Sequence, residues 1–291
     1  MRVHSNMKGS EATHSRDVDL TGLIDMHIHS APDVRPRLLD DLEVAQQAAA
    51  AGMRAVVLKS HVTCTADRAA IAKKVTPDVH VFGSVTLNDA IGGLNPAAVE
   101  AALGLGARVV WMPTTAAQNH IEKHGGSQTG ISLVTEDGKL QPALFDIFDL
   151  VKQHDAVLAT GHVSAKEIVA LVQAAVAAGV RKVSVTHPEV PWVDMPASTQ
   201  AELHEMGAIF ERCYVSSLPI GGDVPFARIV SDIRRVGMDS TVLTTDFGAA
   251  TLPPPVEGMR AYVAALLNEG FSEPDIRLMA GDTPARLLGL E

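Results

Sequence analysis

From Leu20 onward, short runs rich in Val, Ile and Ala alternate with longer Ala-, Leu-, Glu- and Gln-containing runs whose apolar positions recur at helical spacing. Such alternation specifies strand–helix units and a parallel sheet, because a crossover helix covers each strand. The pattern predicts eight strands, at residues 23–28, 55–59, 79–85, 108–112, 156–160, 182–186, 208–212 and 241–245. Helices fall between them at 39–51, 96–105, 143–153, 165–178 and 225–236. Gly52, Gly106, Gly179 and Gly237 stand where four of these helices should stop, as C-caps do. Eight such units in 291 residues favour an α/β fold made of a single (β/α)8 barrel of the TIM type over an open doubly wound sheet. No G-x-G-x-x-G follows the first strand, which removes the main signal for dinucleotide binding. Residues 1–17 are polar and aperiodic and read as a flexible N-terminal tail carrying His4 and His14, with the barrel at 18–291. The segment 114–140, with Gly125, Gly126, Gly130 and Gly138, is too long for a plain strand–helix connection and reads as a lid or an irregular loop.

Composition narrows the partners. With 46% hydrophobic residues the chain can bury a large core, yet no stretch approaches the ~18 uninterrupted apolar residues of a membrane span. The most apolar run, 167–180, is interrupted by Gln173 and reads as a packed helix. A formal charge of −10 and 4% aromatic residues argue against nucleic acid, which needs basic surface and stacking platforms. The two cysteines, Cys64 and Cys213, lie far apart, and the N-terminal residues lack the apolar core of a secretion signal, so a cytoplasmic location with reduced thiols is expected. The expected partner is a small-molecule substrate; the apolar helices of such a barrel leave homo-oligomerisation open.

The first strand ends in Asp25-Met26-His27-Ile28-His29. In a strand, residues i and i+2 point to one face, so both imidazoles are offered to one metal ion. With 12 His in the chain, about half of one H-x-H is expected by chance, so position must decide. Position favours chemistry, because barrel active sites are built at the C-terminal ends of the strands. The same place carries Lys59 and His61 after the second strand, His162 after the fifth, His187 after the sixth and Asp246 after the eighth. Taken singly, each has an ordinary use: a hydrogen-bonded core His, a solvated Lys, an Asp capping a turn. Taken together they converge on one mouth, where a divalent cation accounts for their crowding.

In these residues, and in the ending Gly281-Asp282-Thr283-Pro284-Ala285-Arg286-Leu287-Leu288-Gly289-Leu290, the chain resembles the amidohydrolase superfamily of metal-dependent hydrolases. The resemblance runs from about residue 22 to the end and covers H-x-H, His, His and Asp in the family's order. It implies that His27 and His29 ligate the more buried metal, that His162 and His187 ligate a second metal or hold the substrate, and that Asp246 completes the site. It implies one or two divalent ions, zinc first and manganese second. One departure stands out. Binuclear members carry a bridging carboxylated Lys after strand four, where this chain reads Arg108-Val109-Val110-Trp111-Met112-Pro113. Lys59 can bridge instead, or stay an ammonium that binds a substrate carboxylate; the metal-ligating role is the expectation.

The chemistry follows. A divalent ion lowers the pKa of a bound water from about 15.7 to about 7 and polarises a carbonyl. Asp246 is then the catalytic general base and acid, work worth ~10²–10⁴ in rate. His61, His162 or His187, whichever does not ligate, donates to the developing oxyanion. The expected function is hydrolysis of a lactone, ester or (cyclic) amide bond in a small metabolite, carboxylate-bearing if Arg35, with Arg37, clamps it. The alternatives are a single-metal decarboxylase or hydratase of the same superfamily, and a metal-stabilised barrel that binds a small molecule without turning it over. His120-Ile121-Glu122-Lys123-His124 reads as a solvated lid, Gly92-Gly93 and Gly221-Gly222 as turns, and Cys64 as a bystander at the mouth. Glu211 is either an extra polar group in the cavity or half of a structural ion pair.

Overall fold

The computed structural model describes residues 13–15 and 18–290. The other residues of the expected tail, His4 among them, lie outside the described residues. Within it, His14 is exposed, and Thr13 exchanges two hydrogen bonds with Asn268, its N–H donating to Oδ1 (2.7 Å) and its carbonyl accepting from Nδ2 (3.0 Å).

The chain runs β1 (Ile24–His29), α1 (Asp41–Ala50), β2 (Ala55–Lys59), α2 (Ala66–Val75), β3 (His80–Phe82), β4 (Ser84–Thr86), α3 (Pro96–Gly104), β5 (Val109–Trp111), α4 (Gln118–Lys123), α5 (Ala143–Gln153) and β6 (Val157–Ala159). It continues with α6 (Ala165–Ala177), β7 (Val183–Thr186), α7 (Ala197–Glu205), β8 (Ile209–Cys213), α8 (Phe226–Val236), β9 (Thr241–Thr244), α9 (Pro255–Asn268), α10 (Glu273–Arg277) and α11 (Thr283–Leu288). Strands pair in parallel with their sequence neighbours, in the order β1-β2-β3 and β4-β5-β6-β7-β8-β9. Two further contacts bring the ends together: His29 N–H donates to the Phe247 carbonyl (2.8 Å) and Asp246 N–H to the His27 carbonyl (2.9 Å). On the other side Ser84 Oγ donates to the Leu58 carbonyl (2.8 Å), tying β4 to β2. The architecture is the expected (β/α)8 barrel.

The third strand differs from expectation: residues 79–85 form two short strands that part at Gly83. A Cβ there would lie 2.3 Å from the Ala66 Cα, so the start of α2 is pressed against this backbone. Thr65 fills the interrupted ladder, its N–H donating to the Ser84 carbonyl (3.0 Å) and its Oγ1 accepting from Ser84 N–H (2.8 Å). Residues 114–140 also differ from a featureless loop. They contain α4, they pair Gln118 N–H with the Ile131 carbonyl (2.9 Å), and they bury Leu133 completely.

The barrel interior is filled by Ile24, Met26, Ala55, Val57, Val109, Trp111, Val157, Ala159, Ile209 and Val242, with Leu287 and Leu288 of α11 in the same cluster. Outside, the sheet packs on the helices. α6 is typical: Ser164 and Glu167 form a reciprocal capping box, and Ile168, Leu171, Val172 and Ala175 face the core. Full burial of each large aliphatic side chain stabilises by about 1.5–3 kcal/mol. This dry interior leaves the C-terminal strand ends as the place where polar side chains converge.

Candidate metal centre

β1 contains a β-bulge. Ile24 and Asp25 pair with Ala55 and Val56, while Ile28 and His29 pair with Leu58 and Lys59, so Met26 and His27 together oppose Val57. The extra residue shifts the phase, turning Ile28 out to the helices and both His27 and His29 inward. Asp25 secures the bulge: its Oδ1 accepts from His27 N–H (3.1 Å) and Thr245 N–H (3.1 Å), and its Oδ2 from Thr245 Oγ1 (2.5 Å). Burial pushes the Asp25 carboxyl up to about 7 against these bonds.

His27 Nε2 lies 3.0 Å from Asp246 Oδ1, and His29 Nε2 lies 3.1 Å from the same oxygen. On the other side of its ring, His27 Nδ1 is 2.5 Å from Glu211 Oε1. Asp246 carries φ +54° and His187 φ +30°, left-handed conformations that non-glycine residues adopt at a cost of about 1–3 kcal/mol and that cluster at functional sites. Glu211 faces inward because β8 alternates: Ile209, Glu211 and Cys213 line the interior, while Phe210 and the fully buried Arg212 face the helices, where Arg212 meets Glu189 and Gln200.

The donor set fits a cation. The Glu211 carboxylate accepts from His27 Nδ1–H, so a neutral His27 ring turns its Nε2 lone pair toward the carboxylate oxygen of Asp246. Two acceptors at 3.0 Å need a positive partner, which a proton on Nε2 or the Lys59 ammonium 2.9 Å away supplies and which a bound metal ion would replace. Bond lengths of about 2.0–2.2 Å to a shared ion put neighbouring ligand atoms about 3 Å apart. The second cluster of donors, His27, Glu211 and Cys213, is different: the 2.5 Å contact is a hydrogen bond and leaves no room for an ion between its atoms.

Lys59 is fully buried, its Nζ 2.9 Å from His27 Nε2 and 4.0 Å from the Trp111 ring centroid. Burial pushes its ammonium down, against the pull of the Asp246 and Glu211 carboxylates. His29 is pushed down to about 3 and His187 to about 4 by burial, and burial drives His61 and His162 well below the usual range. Neutral imidazoles are the form that binds metals. Burial also opposes the His27 cation, but the Asp246 and Glu211 carboxylates outweigh it and hold that ring up; His27 and His29 in turn hold Asp246 well below the usual range despite its burial.

These groups open on a cavity of about 400 Å³ with Trp192, Val190, Val215, Ile220 and Leu252 on its apolar side. His162 and His187 lie together, ring centroids 4.8 Å apart, and His187 Nδ1 is buried without a partner among the described residues. His61 stacks on His29 at 4.7 Å. Arg35 is exposed at the rim, whereas Arg37 is held by Asp33 (2.9 Å) and lies 3.3 Å from His29 Nδ1.

The segment read as a solvated lid is part of this wall. His120 is half-buried, its Nδ1 2.9 Å from His162 Nδ1, and it is pushed down to about 4 by burial; His124 stacks on it at 4.0 Å. Asn119 fastens α4 down, its Nδ2 donating to the carbonyls of His162 (3.0 Å) and Trp192 (2.8 Å). Cys64 packs against the helix-side core and is not among the residues lining this cavity; the cysteine near His27 is Cys213, with Sγ 3.8 Å from Nδ1. Sequence reasoning underweighted Glu211, whose signal was its place beside Cys213 on an alternating strand, and overlooked Asn88, Thr114 and Asn119.

No curated protein sequence matches the chain. Among solved structures, an amidohydrolase from Pseudomonas aeruginosa superposes with a TM-score of 0.62 at 15% identity, covering 92% of this chain and 95% of that one. An organophosphorus hydrolase from Deinococcus radiodurans gives 0.62 at 13% identity, over 95% and 94% of the two chains. A putative 2-pyrone-4,6-dicarboxylic acid hydrolase from Pseudomonas putida gives 0.60 at 18% identity, over 94% and 99%. The fold is therefore that of the amidohydrolase barrels. The sequence itself matches one family model over residues 22–211, a span that takes in His27, His29, Lys59, His162, His187 and Glu211, and on that match the chain belongs to the family of unknown function DUF6282.

Proposed function

We propose that this protein is a metal-dependent hydrolase that opens a lactone, ester or cyclic amide bond in a small, carboxylate-bearing metabolite. The observation that carries this reading is the meeting of His27 Nε2, His29 Nε2 and Asp246 Oδ1 at 3.0–3.1 Å, with the far side of His27 held by Glu211. His27, His29 and Asp246 would hold the ion, with Lys59, His162 and His187 as further ligands, and zinc or manganese suits this nitrogen and oxygen set. When bound, such an ion lowers the pKa of water and polarises a carbonyl. Asp246 takes the proton from the attacking water and returns it to the leaving oxygen or nitrogen. His61 and the rings of His162 and His187 border the space where the carbonyl oxygen would lie, and Arg35 at the rim suits a carboxylate. A fold neighbour's name points the same way, since a 2-pyrone is a cyclic ester and that substrate carries two carboxylates.

A second reading, a one-metal decarboxylase or hydratase, is favoured by one feature. Among the described residues, the one three-ligand cluster with room for an ion is His27, His29 and Asp246, and β5 ends in Trp111 where a bridging lysine would stand. Metal analysis of the purified full-length chain, chelation, and assays on a panel of carboxylated lactones, aryl esters and cyclic amides separate the readings. The hydrolase reading expects bound metal, loss of hydrolysis on chelation before any loss of fold, and recovery with zinc or manganese. Release of CO₂ or hydration of a double bond without hydrolysis moves the assignment to the second reading. Unfolding on chelation with no turnover of any kind would leave only a metal-stabilised binding barrel.

A further inference from the structure

Behind His61 stands a hydrogen-bond chain whose direction can be read without ambiguity. Asn88, almost fully buried just after β4, accepts at Oδ1 from the backbone N–H of Thr114 (2.8 Å) and of Ala116 (3.2 Å). A backbone N–H only donates, so that atom is the oxygen. Its Nδ2 donates to the His61 carbonyl (2.9 Å), and a carbonyl only accepts, so the amide orientation is fixed twice over. The same Nδ2 lies 2.7 Å from Thr114 Oγ1 and must donate to it as well. Thr114 is fully buried, and among the described residues its hydroxyl proton has one partner within reach, His61 Nδ1 at 2.8 Å. Leaving that proton unpaired would cost about 1–3 kcal/mol. Thr114 therefore donates, His61 Nδ1 accepts, and the single proton of the neutral ring sits on Nε2. The ring lines the cavity with Nδ1 turned to the wall, and Nε2 has no protein partner among the described residues.

We propose that Asn88 and Thr114 are positioning residues that lock His61 in its Nε2–H tautomer, so that it presents a neutral N–H donor, and not a metal-binding lone pair, to an oxygen anion in the pocket. What that donor serves, the carbonyl oxygen of an ester or lactone as it gains charge, rests on the function proposed above; the tautomer does not. Pre-aimed donors of this kind act where charge develops in the transition state, and loss of one typically costs 10²–10³ in kcat.

The test is the tautomer itself, read from the ring nitrogen shifts of the full-length protein labelled with 15N-histidine, both chelated and zinc-loaded, with the His61 signals identified by their loss in His61→Gln. The expected result is a protonated Nε2 and a bare Nδ1, kept in Thr114→Ser. In Asn88→Asp the new carboxylate accepts from Thr114, whose oxygen then accepts from His61, so the ring proton moves to Nδ1; Thr114→Val gives a mixture of tautomers. A protonated Nδ1 in the unmodified protein, or an unchanged Nε2–H tautomer in a folded Asn88→Asp or Thr114→Val protein, overturns the proposal. Should neither of those variants fold, the spectrum of the unmodified protein decides alone. Thr114→Val should lower kcat by roughly 10²–10³-fold with little change in KM, and an unchanged kcat would overturn the catalytic part. An Nε2–H tautomer in a protein that hydrolyses nothing would refute the hydrolase reading and leave the relay standing.

Discussion

Glu211 Oε1 lies 2.5 Å from His27 Nδ1, both side chains are sealed from solvent, and this contact decides which edge of the His27 ring is free for a cation. Cys213 and Thr244 converge on the same carboxylate oxygen, with Sγ at 3.6 Å and Oγ1 at 3.2 Å. Partners of this kind fix the tautomer of a ligating imidazole and raise its basicity, and their loss commonly costs 10–100-fold in metal affinity. Glu211→Gln should therefore weaken metal binding by about 10–100-fold in a chelator competition, while the chelated variant melts within a few degrees of the unmodified protein. Equal affinity would remove Glu211 from the centre.

Asp246 is both the oxygen that His27 and His29 share and the base of the proposed reaction. Asp246→Asn keeps the shape and removes the charge. Hydrolysis should fall by at least the ~10²–10⁴ of lost general acid–base catalysis, with circular dichroism unchanged. Near-normal turnover would defeat the assignment.

Much of this was legible in the chain. Period-2 and period-3.6 patterning located the strands, and the H-x-H, His, His, Asp series fell where parallel strands end. What escaped was set by tertiary contact. Gly83 gave no sign that Ala66 would press on it and split the third strand. The bulge at Met26 and His27 is invisible in a string of residues, because it depends on register against Val57. In β8 the adjacent Glu211 and Arg212 look equivalent, and only the phase of the strand sends one to the centre and the other into an ion pair with Glu189. His120 looked solvated because nothing local reveals that Asn119 ties α4 across two neighbouring loops.

That tie is testable. Asn119 Nδ2 makes the two bonds that join α4 to the backbone at His162 and Trp192. Asn119→Ala leaves both carbonyls without this donor and should destabilise by about 1–3 kcal/mol. Hydrogen exchange should rise in α4 and in the segments around residues 162 and 192, with no change in α9 on the far side of the fold. Uniform protection throughout would show that the strap holds without it.

Asp25 gives a pH dependence with a definite sign. Its carboxyl is raised from an ordinary 3.8 to about 7 by burial, so between those values the folded protein holds a proton that the unfolded chain has released. Stability from this group is full below about pH 4 and is lost as pH rises through 7, at up to about 1.4 kcal/mol per pH unit. Asn cannot ionise and keeps an acceptor for the His27 and Thr245 amides. In chelated protein, Asp25→Asn should therefore gain stability relative to the unmodified chain as pH goes from 4 to 7, by urea denaturation at each pH. A constant difference would mean that Asp25 ionises normally in the fold.

Gly248 ties the backbone behind the centre to the position of His29. Its φ is +137°, and a Cβ added there would lie 1.8 Å from the His29 carbonyl oxygen and 2.9 Å from the His29 Cβ, so any side chain must push the end of β1 away from β9. Gly270 is the control: it has φ +90° but nothing within 4 Å of an added Cβ, so alanine there meets backbone strain alone, about 1–2 kcal/mol. Gly248→Ala should cost more than Gly270→Ala in thermal unfolding and should also lower metal occupancy, because the displaced strand end carries a ligand. Gly270→Ala should leave occupancy unchanged. If the two variants bind metal equally well, the position of His29 does not govern the ion, and the centre must be held by His27 and Asp246 with other partners.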